Sequence, residues 1–302
     1  MMTSRVARQL RYAVPIGGAL VSGAVGIAAY TAHILNKPRR RTWRDDFAFT
    51  PWEVRVPHER VEFTAQDGVV LRGWWFPCAD TDHVIIGCTG HRGSKSELLG
   101  IGSALWRAHN NVLLFDFRGC GDSDPAPLSL AHKELPDARA AIDFAQHRMP
   151  GARIGLIGYS MGAAIAILVA AGDPSVRVVV ADSSFTSIHD VIAFAYSRYR
   201  LLPVRPIVLL TDLINRWRHG YPFGAVRPID VIGRIAPRPL LIIHGGKDGV
   251  TPVANAHRLY AAAGEPKDLW IVDDARHCGA YFLDREEYVR RVTGFFEHWL
   301  PT

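Results

Sequence analysis

The strongest constraint on the fold is that short apolar runs alternate with longer helical stretches along most of the chain. The runs are rich in branched residues and are bounded by turn-forming residues, which is typical of strands buried on both faces. They are Val84-Ile-Ile, Val112-Leu-Leu-Phe, Ile154-Gly-Leu-Ile, Val178-Val-Val, Leu240-Leu-Ile-Ile and Leu269-Trp-Ile-Val. This alternation predicts an α/β fold with a mostly parallel central sheet and helices on both faces. Functional groups are then expected at the carboxyl ends of the strands.

One segment breaks the alternation. Residues 186–228 contain no strand-like run, only helical apolar stretches interleaved with arginines and aromatic residues. The segment lies between the sixth and seventh predicted strands, where a helical lid can be inserted. A lid and a pair of ordinary packing helices both fit this pattern.

A predicted strand leads directly into a serine flanked by glycines. Ile154-Gly-Leu-Ile runs into Gly158-Tyr159-Ser160-Met161-Gly162, and a helical apolar stretch follows. A nucleophile elbow needs a strand before the serine, a helix after it, and a glycine two residues away on each side, because strand and helix approach closely around a strained turn. All of these conditions are met. Ser160 is therefore the predicted nucleophile, and the backbone N–H of Met161 is predicted to face the developing oxyanion.

Further stretches resemble the α/β-hydrolase superfamily, most closely its serine-aminopeptidase-like branch with the monoglyceride-lipase-like esterases and abhydrolase-domain proteins. Residues 115–123 look like the loop after the fourth strand, 241–252 like the loop that holds the triad acid, and 274–279 like the histidine loop. The likeness runs from about residue 59 to 300. It implies an α/β-hydrolase domain at 58–302 with a Ser-Asp-His triad in the superfamily's chain order, which requires no metal or organic cofactor.

Several residues compete for the acid and the base. His277 follows the last strand in a short loop and is the predicted base, whereas His244 precedes the acid and is interpreted as structural. Cys278 is rejected as a nucleophile because no elbow surrounds it. Asp248 lies just past a strand end and is the predicted acid. Asp182 is its rival, because some α/β hydrolases take their acid from the end of the sixth strand.

The loop after the third strand departs from the resemblance. Thr89 stands where a histidine is expected, in Cys88-Thr89-Gly90-His91. The oxyanion donor needed from this loop is a backbone N–H, and His91 is predicted to supply it. In relatives the histidine looks like a loop-shaping residue, so the sequence leaves the conformation of this loop open.

The N-terminal region contains an apolar stretch with arginines on both sides. Ala13–Leu35 has no residue charged at neutral pH, and as a helix it spans about 34 Å, enough to cross a hydrocarbon core of about 30 Å. The best signal-peptidase site, Ala29-Tyr30-Thr31, is poor, which favours a retained helix over a cleaved signal peptide. We therefore predict a single-pass membrane anchor with basic flanks at 1–36 and a linker at 37–57. The downstream excess of Lys and Arg favours a cytoplasmic catalytic domain.

Charge and cysteine content argue against other classes of protein. The formal net charge of +6 comes largely from the N-terminal flank and one central segment, so nucleic-acid binding is not expected. The four cysteines show no CxxC pair and no metal-finger spacing, which predicts free thiols and no metal site. They are Cys78, Cys88, Cys120 and Cys278.

The sequence thus predicts a serine hydrolase acting on a small-molecule acyl substrate through an acyl-enzyme. Aromatic, aliphatic and arginine side chains in 186–228, together with the anchor, suggest a lipid-like ester. A catalytically silent membrane-anchored binding protein on the same fold is one alternative, for which the Thr89 loop argues. An acyltransferase is another, since it shares the acyl-enzyme. The oligomeric state is left open.

Overall fold

A central sheet organises the computed structural model, which describes residues 21–39, 48–200 and 202–300. The strands are β1 (Glu59–Thr64), β2 (Val70–Phe76), β3 (His83–Cys88), β4 (Asn111–Phe115), β5 (Arg153–Tyr159), β6 (Val176–Asp182), β7 (Leu240–Gly245) and β8 (Lys267–Val272). The eight strands lie in the order β1-β2-β4-β3-β5-β6-β7-β8. β2 is antiparallel to both of its neighbours, and all the other pairs are parallel. The predicted, mostly parallel sheet is confirmed.

Helices cover both faces of this sheet. They are α1 (21–36 within the described residues), α2 (Leu99–Arg107), α3 (Glu134–Arg148), α4 (Met161–Gly172), α5 (Ile188–Ser197), α6 (Val204–His219), α7 (Ala254–Ala262), α8 (Ala280–Leu283) and α9 (Arg285–Trp299). Residues of α3, α4 and α7 pack on one face of the sheet, and residues of α2 and α9 pack on the other.

The strand residues alternate between these two layers, as the pleat requires. In β3, Val84 and Ile86 belong to the first layer, whereas Ile85 belongs to the second. Every residue of β3, β4 and β7 is buried, which explains why these strands read as continuous apolar runs in the sequence. α4 is apolar on all sides because it lies between the sheet and other helices and is almost entirely buried.

The segment predicted as a lid or as packing helices forms α5 and α6, followed by short 3-10 turns that lead to β7. α1 packs against this pair. Its Ala28 and Ala32 are fully buried, and the Thr31 hydroxyl lies 2.6 Å from the Tyr196 hydroxyl of α5. Asn36 donates from Nδ2 to Oδ1 of Asn215 on α6 at 2.7 Å. We call α1, α5 and α6 the cap helices.

The predicted transmembrane stretch falls only partly on this part of the chain, because residues 13–20 lie outside the described residues. None of the helices in the described ranges is long and apolar enough to cross a membrane. The C-terminal half of α1 instead has its buried side on α5 and α6.

Candidate active site

Ser160 lies in a sharp turn between β5 and α4. Its φ of 54° places a non-glycine residue in the left-handed region, a strained conformation that lifts the side chain above the sheet. The flanking glycines are required by close approach. A Cβ on Gly158 would lie 2.2 Å from the carbonyl oxygen of Gly162, and one on Gly162 would lie 2.1 Å from that of Cys88. The turn has the geometry of the predicted elbow.

Loops at the carboxyl ends of β7 and β8 bring the other two predicted triad residues to Ser160. His277 Nε2 lies 2.9 Å from Ser160 Oγ, and His277 Nδ1 lies 2.7 Å from Asp248 Oδ2. Because a carboxylate accepts hydrogen bonds, Nδ1 carries the proton and Nε2 is left to accept the serine proton. Ser160, His277 and Asp248 are far apart in the sequence, but their side chains thus form one continuous chain of hydrogen bonds.

The carboxylate of Asp248 is buried and well supplied with donors. The backbone N–H groups of Val250 and Thr251 donate to Oδ1 at 2.8 Å, and the Thr251 hydroxyl donates to Oδ2 at 2.9 Å. Burial opposes ionisation, but the hydrogen bonds from His277 and from these backbone groups outweigh it, so the pKa of Asp248 is lowered. The carboxylate is therefore charged when it faces the imidazole.

His244 binds the backbone of this loop, which agrees with the structural role predicted for it. It is fully buried, and its Nε2 donates to the backbone carbonyl of Thr251 at 2.7 Å. Burial lowers the pKa of His244, which favours the neutral ring. Sequence reasoning missed Thr251. The signal was present, since a Thr three residues after an Asp at a strand end is a common way to close a turn on a carboxylate.

Asp182, the rival acid, makes different contacts. Its carboxylate accepts hydrogen bonds from the Ser183 and Tyr288 hydroxyls, each at 2.9 Å, and its backbone carbonyl accepts from Ser160 N at 2.8 Å. Burial raises the pKa of Asp182 to about 6. Cys278 donates its N–H to Ser183 Oγ at 3.0 Å, and burial raises the pKa of its thiol, which disfavours the reactive thiolate.

Replacing Asp182 by asparagine is expected to change stability with pH while leaving turnover within about threefold of the wild type. The unfolded chain releases this proton near pH 3.9, whereas the folded protein holds it to about 6. The wild type therefore loses about 2 kcal/mol of unfolding free energy relative to Asp182→Asn as pH rises from 4 to 7. Urea unfolding of both proteins at pH 4 and pH 7 measures this difference. A difference that is the same at both pH values contradicts the prediction.

The two predicted oxyanion donors belong to different elements. Met161 is the first residue of α4, where backbone N–H groups have no partner within the helix. His91 follows Gly90, and a Cβ on Gly90 would lie 3.6 Å from Ser160 Cβ, so this loop borders the nucleophile. Burial lowers the pKa of His91 to about 4, which leaves its ring neutral. Thr89 is buried, and among the described residues its hydroxyl has no hydrogen-bond partner.

The chain resembles known proteins in sequence and in fold. A family model of the alpha/beta hydrolase fold matches residues 84–206. The uncharacterized protein YfhR of Escherichia coli K12 is 32% identical over 250 residues, which cover 80% of this chain and 79% of YfhR. The chain belongs to the α/β-hydrolase family.

One solved structure and a further sequence relative also resemble the chain. The Pyrococcus furiosus esterase Pf2001 superposes with a TM-score of 0.72 and 25% identity, covering 88% of this chain and 98% of the esterase. The polyketide transferase ATR5 of Stachybotrys chlorohalonatus is 25% identical over 296 residues, covering 80% of this chain and 99% of ATR5. The α/β-hydrolase fold expected from the sequence is confirmed, and the chain is a hydrolase. The serine-aminopeptidase-like branch stays a prediction.

Proposed function

We propose that this α/β hydrolase is a serine hydrolase that cleaves a carboxylic ester, or a related thioester or amide, through an acyl-enzyme on Ser160. The observation that carries the proposal is the pair of contacts at His277, with Nε2 2.9 Å from Ser160 Oγ and Nδ1 2.7 Å from Asp248 Oδ2. Such a pair provides a general base next to a nucleophile and a charged group that orients the base.

In the proposed mechanism, His277 takes the proton of Ser160 as the hydroxyl attacks the acyl carbonyl. The N–H groups of Met161 and His91 donate hydrogen bonds to the oxyanion, and Asp248 stabilises the imidazolium. The tetrahedral intermediate collapses when His277 protonates the leaving group. Water activated by the same histidine then hydrolyses the acyl-enzyme.

A lipid-like acyl substrate is the best-supported substrate class. The outer face of α6 exposes apolar side chains at four-residue intervals, with Leu209 66%, Leu213 63% and Trp217 84% exposed. Arg216 is exposed and, by helical spacing, lies beside this face, so the face combines apolar side chains with a positive charge, as contact with anionic lipid requires. The N-terminal anchor predicted from the sequence, of which residues 1–20 lie outside the described part of the chain, would keep this face near a membrane with the catalytic domain on the cytoplasmic side.

Acyl transfer to an acceptor other than water is a second candidate. The similarity to a polyketide transferase favours it, since hydrolysis and transfer share the acyl-enzyme. Product analysis with and without an added alcohol or amine distinguishes them. A transferase gives the new ester or amide as its main product, whereas a hydrolase gives the free acid under both conditions.

A fluorophosphonate probe tests the proposed nucleophile. We expect the purified protein to be labelled at Ser160, and the folded Ser160→Ala variant to be unlabelled, because the probe reacts with an activated serine. Folded wild-type protein that stays unlabelled would instead favour a silent binding protein on this fold. Untreated wild-type protein is then assayed on monoacylglycerols, lysophospholipids and short soluble esters. Cleavage of the short esters alone contradicts the lipid-like substrate.

A further inference from the structure

The loop after β3, residues 88–95, needs support from outside itself; we call it the oxyanion loop. Arg92 has a φ of 62°, in the left-handed region, where a non-glycine residue costs about 1–3 kcal/mol. A conformation of this kind persists when its surroundings hold it. Thr89, which stands in place of the expected histidine, does not hold the loop by a hydrogen bond. Its hydroxyl is buried and has no hydrogen-bond partner among the described residues.

Both ends of the oxyanion loop are fixed. It begins at the end of β3, in the middle of the sheet. At its other end, Lys95 N donates to Asp116 Oδ1 at 2.7 Å, and Lys95 Nζ donates to Asp116 Oδ2 at 2.5 Å and to Asp122 Oδ2 at 2.7 Å. The predicted donor His91 and the strained Arg92 lie between these fixed ends, where Gly93 N closes a turn on Gly90 O at 3.0 Å.

The middle of the loop is held by the segment that follows α1. Arg39 Nη1 donates to the backbone carbonyl of Arg92 at 3.0 Å, and Arg92 Nη2 donates to the backbone carbonyl of Lys37 at 3.1 Å. Each arginine thus donates a hydrogen bond from its guanidinium to a backbone carbonyl of the other segment. The carbonyl of Arg92 is fixed next to the strained φ, which determines the direction of the neighbouring peptide groups.

The segment that supplies this contact is itself anchored. Asn36, directly before Lys37, is buried and accepts from the Tyr221 hydroxyl at 2.6 Å in addition to its bond to Asn215. Its backbone carbonyl accepts from Leu128 N at 3.2 Å. Residues 37–39 therefore start from a point that is fixed on the cap helices, and they can transmit that position to the oxyanion loop.

We propose that Arg39 and Arg92 are positioning residues for the oxyanion hole, so that the segment after α1 is part of the active-site scaffold and not a passive linker. This inference rests on the proposed function. The reciprocal contact holds the strained peptide groups around Arg92 and thereby aims the His91 N–H. It supplies the external fixation that Thr89 does not.

The test uses the full chain with the Arg39→Met variant, which removes the donor to the Arg92 carbonyl, and the Arg92→Met variant, which removes the donor to Lys37. Each is expected to lower kcat for a soluble ester about tenfold with KM within about twofold, less than the 10²–10³-fold cost of deleting a donor. Affinity for a boronic acid, whose tetrahedral adduct occupies the oxyanion hole, should fall by a similar factor. Arg39→Lys keeps a donor and should recover most of kcat.

Arg290→Met is the matched control, since Arg290 pairs with Glu287 on the exposed face of α9 and should leave kcat unchanged. Unchanged kcat and boronate affinity in folded Arg39→Met and Arg92→Met overturn the inference while the wild-type turnover upholds the proposed function. A loss of kcat that only follows loss of folded protein, and that Arg39→Lys does not recover, also overturns it. A folded wild type without turnover contradicts the proposed function, and with it the inference about Arg39 and Arg92.

Discussion

Replacing Ser160 by alanine is expected to lower kcat by about 10⁶, the scale found when a triad serine or histidine is removed from a serine hydrolase. The reason is that the variant loses the atom that forms the covalent intermediate, so hydrolysis has to proceed by direct attack of water. The backbone strain is retained, because alanine has the same difficulty with a φ of 54° as serine. The melting temperature should therefore stay close to that of the wild type, and steady-state turnover of a soluble ester measures the loss.

The histidine provides the control for this prediction. His277→Ala alone should cost about as much as Ser160→Ala, and the double variant should lose little more, because the two groups act as one unit. Their contact of 2.9 Å is the structural basis for that expectation. Losses that multiply in the double variant would mean that the two residues act independently, which contradicts the proposed mechanism.

Local sequence determines the parts of the structure that were predicted well. Strands β3, β4 and β7 appear as short apolar runs because they are buried on both faces. The elbow appears as glycines because backbone atoms leave no room for a Cβ at Gly158 and Gly162. His277 and Asp248 could be chosen because each follows a strand whose carboxyl end opens onto the same edge of the sheet.

Two features could not be predicted from the sequence, because both depend on contacts between segments that are distant in the chain. They are the packing of α1 and the contact of Arg39 with Arg92. α1 packs on α5 and α6 with Ala32 buried, and Asn36 forms hydrogen bonds with Asn215 and Tyr221, which are more than a hundred residues away in the chain. The sequence could not show this packing, because the periodicity of an apolar stretch carries no information about the partner that covers it. The reciprocal contact of Arg39 with Arg92 is invisible in the sequence for the same reason, since arginines near an apolar stretch also serve as membrane flanks.

Replacing Asp248 by asparagine is expected to lower kcat by about 10⁴ with little change in fold, the scale known for this substitution in a serine triad. The asparagine oxygen is held by the N–H groups of Val250 and Thr251, which donate to Oδ1 in the wild type. Its amide NH₂ then faces His277 Nδ1 and donates to it. That contact selects the tautomer with the proton on Nε2, which cannot accept the proton of Ser160.

Asp182→Asn is the matched variant for this experiment, because it makes the same chemical change at the other buried acid near the base. Its carboxylate is bonded to Ser183 and Tyr288 and not to the imidazole, so turnover should stay within about threefold of the wild type. Steady-state kinetics of both variants, with melting temperatures to verify folding, measure the contrast. A loss of about 10⁴ in Asp182→Asn with near-normal turnover in Asp248→Asn would assign the acid to the sixth strand. Equal, small losses in both would mean that neither carboxylate orients the base in the reacting enzyme.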